Sequence, residues 1–191
     1  ETGVEDTADP HYRDNYELIW SEDFEDRSFG SITTVDQDGD GHDWHIDRSE
    51  EENTEHRYLA HDSFCGSYHA ASESYCQFSG AILDTKNLLV LPEFDLSEGG
   101  EYILSYADRA QDPLYPDRYS VKISTDGGNS YETLVEAQCV EGWREHDIDL
   151  SEYAGQKVKI VFEHKDRDMF LLLLDCFRLY KYTNNSITGA S

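Results

Sequence analysis

Positive charge is scarce in this sequence. Its 191 residues carry 15 Lys and Arg against 41 Asp and Glu, a formal net charge of −26. Such a surface repels the phosphates of nucleic acid and the headgroups of anionic lipid, so DNA, RNA and bare membranes are poor partners. Long apolar runs are missing too. The longest, Met169 to Leu174, falls far short of the ~20 residues that span a bilayer, so no membrane insertion is expected. No C-x-x-C pair occurs, so zinc and thioredoxin-type chemistry lack their usual spacing. No G-x-S-x-G occurs, so nothing marks a nucleophile elbow. Helical periodicity is absent beyond a turn near Ser151 to Ala154, and no repeat recurs at a solenoid period.

Aromatic residues are plentiful. With 13 Tyr, 8 Phe and 3 Trp, an apolar share of 38% still supplies one core, because aromatic side chains bury large areas. Residues 1–16 read as a loose lead-in, 17–182 as one domain and 183–191 as a tail. The segment Glu17 to Phe24 reads as the first strand, and residues 36–57 as long acidic loops. Strand patterns follow at Ala81 to Leu83, Asn87 to Phe94, Glu101 to Ala107, Arg118 to Ser124 and Ser130 to Glu136. Three more follow at Arg144 to Leu150, Lys157 to His164 and Phe170 to Tyr182. Short β runs separated by turn residues predict an all-β fold, a two-sheet antiparallel β-sandwich of jelly-roll type.

Cys65, Cys76, Cys139 and Cys176 allow three pairings, and the sequence does not choose among them. One or two disulfides in an oxidising compartment are expected. Cys176, inside an apolar strand, also reads as a buried free thiol. Asn184-Asn185-Ser186 matches the N-glycosylation acceptor pattern.

The strongest chemical signal is Asp36-Gln37-Asp38-Gly39-Asp40-Gly41, the opening of a D-x-D-x-D-G calcium loop. Alternate carboxylates on a curled loop converge on one point, and a hard cation wants about six to eight oxygens there. The carbonyl of His42 falls at the seventh position of such a loop and Asp47 at the twelfth, where Glu is usual. A many-oxygen cage favours calcium over magnesium, and zinc through His42 or His45 is the weaker option. A solvated acidic turn is the plain alternative. A second candidate joins the chain ends, where Glu22, Asp23, Glu25 and Asp26 follow the first strand and Asp175 lies inside an apolar one. A carboxylate there needs a metal, Arg178 or a turn amide as partner.

Ligand contact is expected from the connection Asp108 to Arg118, through Tyr115 with Asp112 and Arg118. A tyrosine ring stacks on sugars or anchors a protein interface, although Leu114 and Tyr115 can equally cap a sheet end. Ser124 to Tyr131 is similar to an Asp-box, which shapes a hairpin turn, and Trp44 and Trp143 read as core.

A family resemblance emerges from these segments in order. Phe24-Glu25-Asp26 and Gly30 to Trp44 resemble the start of the cleaved-adhesin domains, also called choice-of-anchor J domains. Gly66 to Ser72, Asn87 to Pro92, Asp117 to Ser124, Trp143 with Asp147 to Ser151, Phe162 to His164 and Leu173 to Asp175 resemble further segments of that family. Cys176 and Glu163 depart from its pattern. The resemblance implies a jelly roll related to MAM domains, structural calcium, and a role in extracellular adhesion and virulence. It further implies a non-enzymatic module, secreted or at the cell surface, within a larger secreted protein. Its partner would be a host extracellular protein or glycan. Glu17 to Phe24 also resembles the opening of laminarinase-type glycosidases, but their E-x-D-x-x-E triad is not found in an apolar strand. The competing expectation is a carbohydrate-binding or accessory domain of a secreted hydrolase.

Overall fold

The structure, a computed structural model, describes residues 11–48 and 62–183. The glycosylation pattern at Asn184, most of the lead-in and nearly all of the tail lie outside the described residues. The strands are β1 (Tyr16–Glu22), β2 (Thr33–Asp36), β3 (His45–Arg48), β4 (Tyr68–Glu73), β5 (Tyr75–Cys76), β6 (Ala81–Ile82) and β7 (Asp84–Val90). They continue as β8 (Phe94–Asp95), β9 (Tyr102–Ala110), β10 (Arg118–Ser124), β11 (Glu132–Gln138), β12 (Arg144–Asp149), β13 (Lys157–Arg167) and β14 (Leu171–Tyr182). A 3-10 turn, Ser151–Tyr153, sits between β12 and β13.

Two six-stranded sheets face each other, with every pairing antiparallel. The first runs β12-β9-β14-β4-β3, with β1 also on β14; the second runs β11-β10-β13-β7-β2, with β8 also on β13. Strand β14 is long enough to pair with β4 through Leu171–Leu174 and with β1 through Phe177–Tyr182. The hairpin β5–β6 stands apart from both sheets.

Alternation explains the sandwich. In β10, Tyr119, Val121 and Ile123 turn inward while Arg118 and Lys122 turn out. The core joins Leu104, Tyr106, Leu174 and Phe177 of the first sheet to Val121 and Phe162 of the second. Edge-to-face contacts of Phe162 with Tyr106 at 4.8 Å and with Phe177 at 5.1 Å tie the sheets together. Strand β14 is buried on both faces because Trp143 and Phe170 cover Leu171 and Leu173 from outside. Trp44 is in the main core, whereas Trp143 is only partly buried and donates to the Asp62 carbonyl. The Asp-box turn forms as expected, with Asp126 accepting from the Ser130 amide at 2.9 Å and from the Ser124 hydroxyl at 2.7 Å.

One buried carboxylate supports the fold from between the sheets. Asp108 accepts from Tyr119 Oη at 2.7 Å and Arg144 Nη2 at 3.0 Å, with His146 Nε2 3.0 Å away. Burial opposes its charge, but the hydrogen bonds from His146, Arg144 and Tyr119 outweigh burial and hold the carboxyl below its ordinary range. A lowered folded-state pKa gives stability that is present above the unfolded value of ~3.9 and is lost as pH falls through the folded value. Urea unfolding of Asp108→Asn is therefore expected to show a deficit at pH 7 that shrinks below about pH 4. A deficit that stays constant down to about pH 2 would mean that the carboxylate is not the source.

Candidate functional site

Strand β1 ends in an acidic turn. Phe24 and Arg27 adopt left-handed φ of 63° and 62°, and Asp26 accepts the Ser28 amide at 2.9 Å. This curl sends Glu25 across to the segment before β4. There Oε1 accepts the amides of Ser67 at 2.7 Å and Tyr68 at 2.8 Å. Gly66, at φ 63°, is required twice, because a Cβ would also overlap the Glu25 carboxylate. Asp175, with 0% exposure, holds the same segment from the other side. It accepts the Cys65 amide at 2.9 Å and the Cys176 amide at 2.7 Å. Burial pushes this carboxyl up to about 8, aided by the nearby charge of Glu25 and opposed by the amides. Arg178, the alternative partner for Asp175, pairs instead with Glu145 at 2.5 Å. A disulfide joins Cys65 to Cys176 beside this carboxylate pair, while Cys76 and Cys139 are free.

The loop after β2 curls as its spacing predicts. Carboxylate oxygens of Asp36, Asp38 and Asp40 lie within 4.8 Å of one another. Asp36 accepts the amides of Gly39 and Gly41, both at 2.8 Å, and Asp38 accepts the Lys86 amide at 2.7 Å. A hydrogen bond shared with Asp38 holds Asp36 below the usual carboxylate range, while burial and the same bond raise Asp38. Carboxylate oxygens converging this closely are a donor set that a hard cation can use.

The Asp47 carboxylate lies outside this group of three, and the His42 carbonyl already accepts one hydrogen bond. The His42 carbonyl accepts Asn87 Nδ2 at 2.6 Å. The chain then straightens into β3, which carries Asp47 opposite His69, 3.5 Å from His45 Nε2. The His42 ring points elsewhere, with Nδ1 2.6 Å from Glu73 Oε1.

At the loop end of the sandwich lies a cleft of about 360 Å³ lined by Tyr75, Asp112, Tyr115, Asp168, Met169 and Phe170. The Asp112 carboxylate and carbonyl accept the amides of Leu114 at 2.9 Å and Tyr115 at 3.0 Å, forming a tight turn. The turn leaves Tyr115 51% and Leu114 80% exposed instead of capping the sheet. Arg118 is not part of the cleft. It is bound bidentately to Asp166 at 2.9 and 3.1 Å and borders a separate hollow on the outer face of the second sheet. Tyr75, Met169 and Phe170 escaped sequence reasoning because they come from two other segments with no shared spacing.

Ser72, His164 and Asp117 form a hydrogen-bonded line, with 2.7 Å between Ser72 Oγ and Nδ1 and 2.8 Å between Nε2 and Asp117. All three are 0% exposed. Ser74 and the Phe170 amide also donate to Asp117. A line sealed on every side is a satisfied core network, not a nucleophile that substrate can reach.

A two-sheet jelly-roll sandwich with acidic loops and an aromatic cleft at one end defines a class of binding modules. The sequence model of the Cleaved Adhesin Domain matches residues 18–137, and the chain belongs to that family of adhesin domains. It is 32% identical over 155 residues, 69% of the chain, to Hemagglutinin A of Porphyromonas gingivalis strain W83, and spans 7% of that protein's length. The K1 cleaved adhesin domain of Lys-gingipain from the same organism matches with a TM-score of 0.67 at 27% identity, covering 86% of this chain and 98% of that one. The CBM22-1 xylan-binding domain of Xyn10C from Paenibacillus barcinonensis shares the fold with a TM-score of 0.55 at 14% identity, covering 87% and 96% respectively. No described helix is long and apolar enough to cross a membrane.

Proposed function

We propose that this chain is an extracellular, non-enzymatic adhesin module of a larger secreted protein. It contacts a host protein or glycoprotein through the cleft at Tyr75, Tyr115 and Phe170. The cleft carries this reading: the exposed Tyr115 ring and the partly buried rings of Tyr75 and Phe170, beside the carboxylates of Asp112 and Asp168, offer stacking faces and hydrogen-bond acceptors for hydroxyl-rich ligands. The hollow beside Arg118 is a poorer candidate, because its one aromatic, Tyr119, sends its ring inward to Tyr106 and Asp108.

Calcium supports the module in this reading. Asp36, Asp38 and Asp40 would hold one ion, and Glu25 with Asp175 would contribute to a second, with backbone carbonyls and water completing each shell. The ions would neutralise carboxylates that otherwise repel one another in a chain of net charge −26.

A second reading, an accessory carbohydrate-binding domain of a secreted hydrolase, is favoured by the fold shared with a xylan-binding domain. An array carrying both polysaccharides and extracellular glycoproteins separates the two. The adhesin reading predicts retention on glycoproteins and none on simple polysaccharides; the accessory reading predicts the reverse. In either case Tyr115→Ala is expected to weaken binding about thirtyfold, the effect of losing a central aromatic anchor. Its half-exposed ring leaves the unfolding midpoint unchanged. Undiminished binding by Tyr115→Ala and Tyr75→Ala would remove the cleft from the account.

A further inference from the structure

We propose that His42, Glu73 and Cys76 form a binding site for a borderline divalent transition metal, with Zn²⁺ as the fitting occupant. Their donor atoms all lie within 4.8 Å of one another, and His42 Nδ1 is 2.6 Å from Glu73 Oε1. A tetrahedral zinc ion bound by imidazole, carboxylate and thiolate sets its ligand atoms roughly 3.5 Å apart, within the reach of this set. The mixture of nitrogen, oxygen and sulfur selects the metal. Calcium and magnesium take oxygen donors, whereas a thiolate beside an imidazole suits zinc or its neighbours.

Each donor is fixed by its own element. The His42 backbone is held on both sides, its amide donating to Asp40 at 2.8 Å and its carbonyl accepting from Asn87 at 2.6 Å. Glu73 ends β4, paired with Leu171, and its carbonyl accepts Thr85 Oγ1 at 2.7 Å. Cys76 belongs to the β5–β6 hairpin, where its carbonyl accepts the Gly80 amide at 2.8 Å. Donors anchored this way lose little freedom on binding a metal. The arrangement is also accessible. The His42 and Glu73 side chains are 30% and 16% exposed, whereas Cys76 is 6% exposed. The thiol therefore forms the floor, and the mouth leaves a fourth position for water. Cys139, the other free cysteine, has a different role, with its thiol donating to the Asp117 carbonyl at 3.1 Å.

Binding displaces into solvent both the Cys76 thiol proton and the proton shared between His42 Nδ1 and Glu73 Oε1, leaving thiolate, imidazole nitrogen and carboxylate on the metal. The ion then ties together the acidic loop, the end of β4 and the hairpin. Tyr75, the residue before Cys76, lines the cleft, so the metal would fix one wall of it. The site takes no metal donor from Asp36, Asp38 or Asp40, although the Asp40 carboxylate also steadies the His42 amide.

The test uses the full chain, stripped of metal by chelator, moved to chelator-free buffer and titrated with Co²⁺, which reports zinc-type sites optically. A thiolate-to-cobalt charge-transfer band is expected, saturating at one equivalent. Zn²⁺ should displace it and Ca²⁺ should not. Cys76→Ser should abolish the band while Cys139→Ser keeps it. Because Cys76 is buried and its variant can lose structure, His42→Ala repeats the test at a partly exposed position. With circular dichroism unchanged, His42→Ala should weaken Co²⁺ binding at least about tenfold. No band in the wild-type chain, a band that survives Cys76→Ser, or unchanged affinity in His42→Ala overturns the proposal.

Discussion

Loss of the Cys65–Cys176 disulfide is expected to lower stability by about 2–5 kcal/mol. The bond joins residues 111 apart, so it constrains most of the chain in the unfolded ensemble. The chain-entropy estimate for a loop of about 100 residues is ~4.7 kcal/mol. A folded-state contribution adds to this. The bond presses the turn before β4 onto β14, which is also where the Cys65 amide reaches Asp175. Urea unfolding of the Cys65→Ser, Cys176→Ser double variant, measured beside the oxidised parent in chelator, reads the effect directly. A loss below about 1 kcal/mol would show that the two strands are held together without the bond.

Asp175→Ala is the second large effect, with an expected loss of about 2–4 kcal/mol in metal-free protein. The substitution leaves the amides of Cys65 and Cys176 without their acceptor in a buried place. An unmatched buried donor costs about 1–3 kcal/mol. Removing a polar carboxyl that burial already disfavours offsets part of that loss. Asp175→Asn separates the two contributions, because it keeps one acceptor oxygen and removes the ionisable group. Its stability in chelator should therefore fall between the parent and Asp175→Ala. Equilibrium unfolding of the three proteins settles the order. If Asp175→Ala equals the parent, the carboxylate does not hold the turn.

Much of the fold is legible in the sequence where one face alone is buried. Arg118–Ser124 alternates cleanly, and β10 has the bounds its pattern predicts. Strand β3, inside the span read as loops, was missed because His45 to Arg48 are all part-buried or exposed and offer no apolar face. Strand β4 is obscure for the opposite reason. Its His69, Ala70, Ala71 and Ser72 are fully buried yet small or polar, so no apolar alternation marks the strand, and their cover comes from the sheet faces, where Trp143 lies against His69 and His164 reaches Ser72. The convergence of Asp36, Asp38 and Asp40 is local and could be read from spacing. The position of Asp47 could not, because a twelve-residue loop count assumes continued curling and the chain enters a strand instead. The partners of Asp175 and of Tyr115 are also beyond sequence, since they lie across sheet pairings that only the fold brings together.

In the proposed function, the carboxylates of Asp36, Asp38 and Asp40, and of Glu25 and Asp175, would serve as calcium ligands that hold the loops in place. Thermal unfolding of metal-stripped chain in calcium, in magnesium and in chelator tests it most directly. A ligand at about a hundred times its Kd adds ~2.7 kcal/mol. For a chain of this size that amounts to roughly 5–10 °C in Tm. The account predicts such a rise for calcium and little for magnesium, reduced in the Asp38→Ala, Asp40→Ala double variant and reduced separately in Asp175→Asn. Equal midpoints in calcium and chelator, in protein shown beforehand to be metal-free, would contradict it.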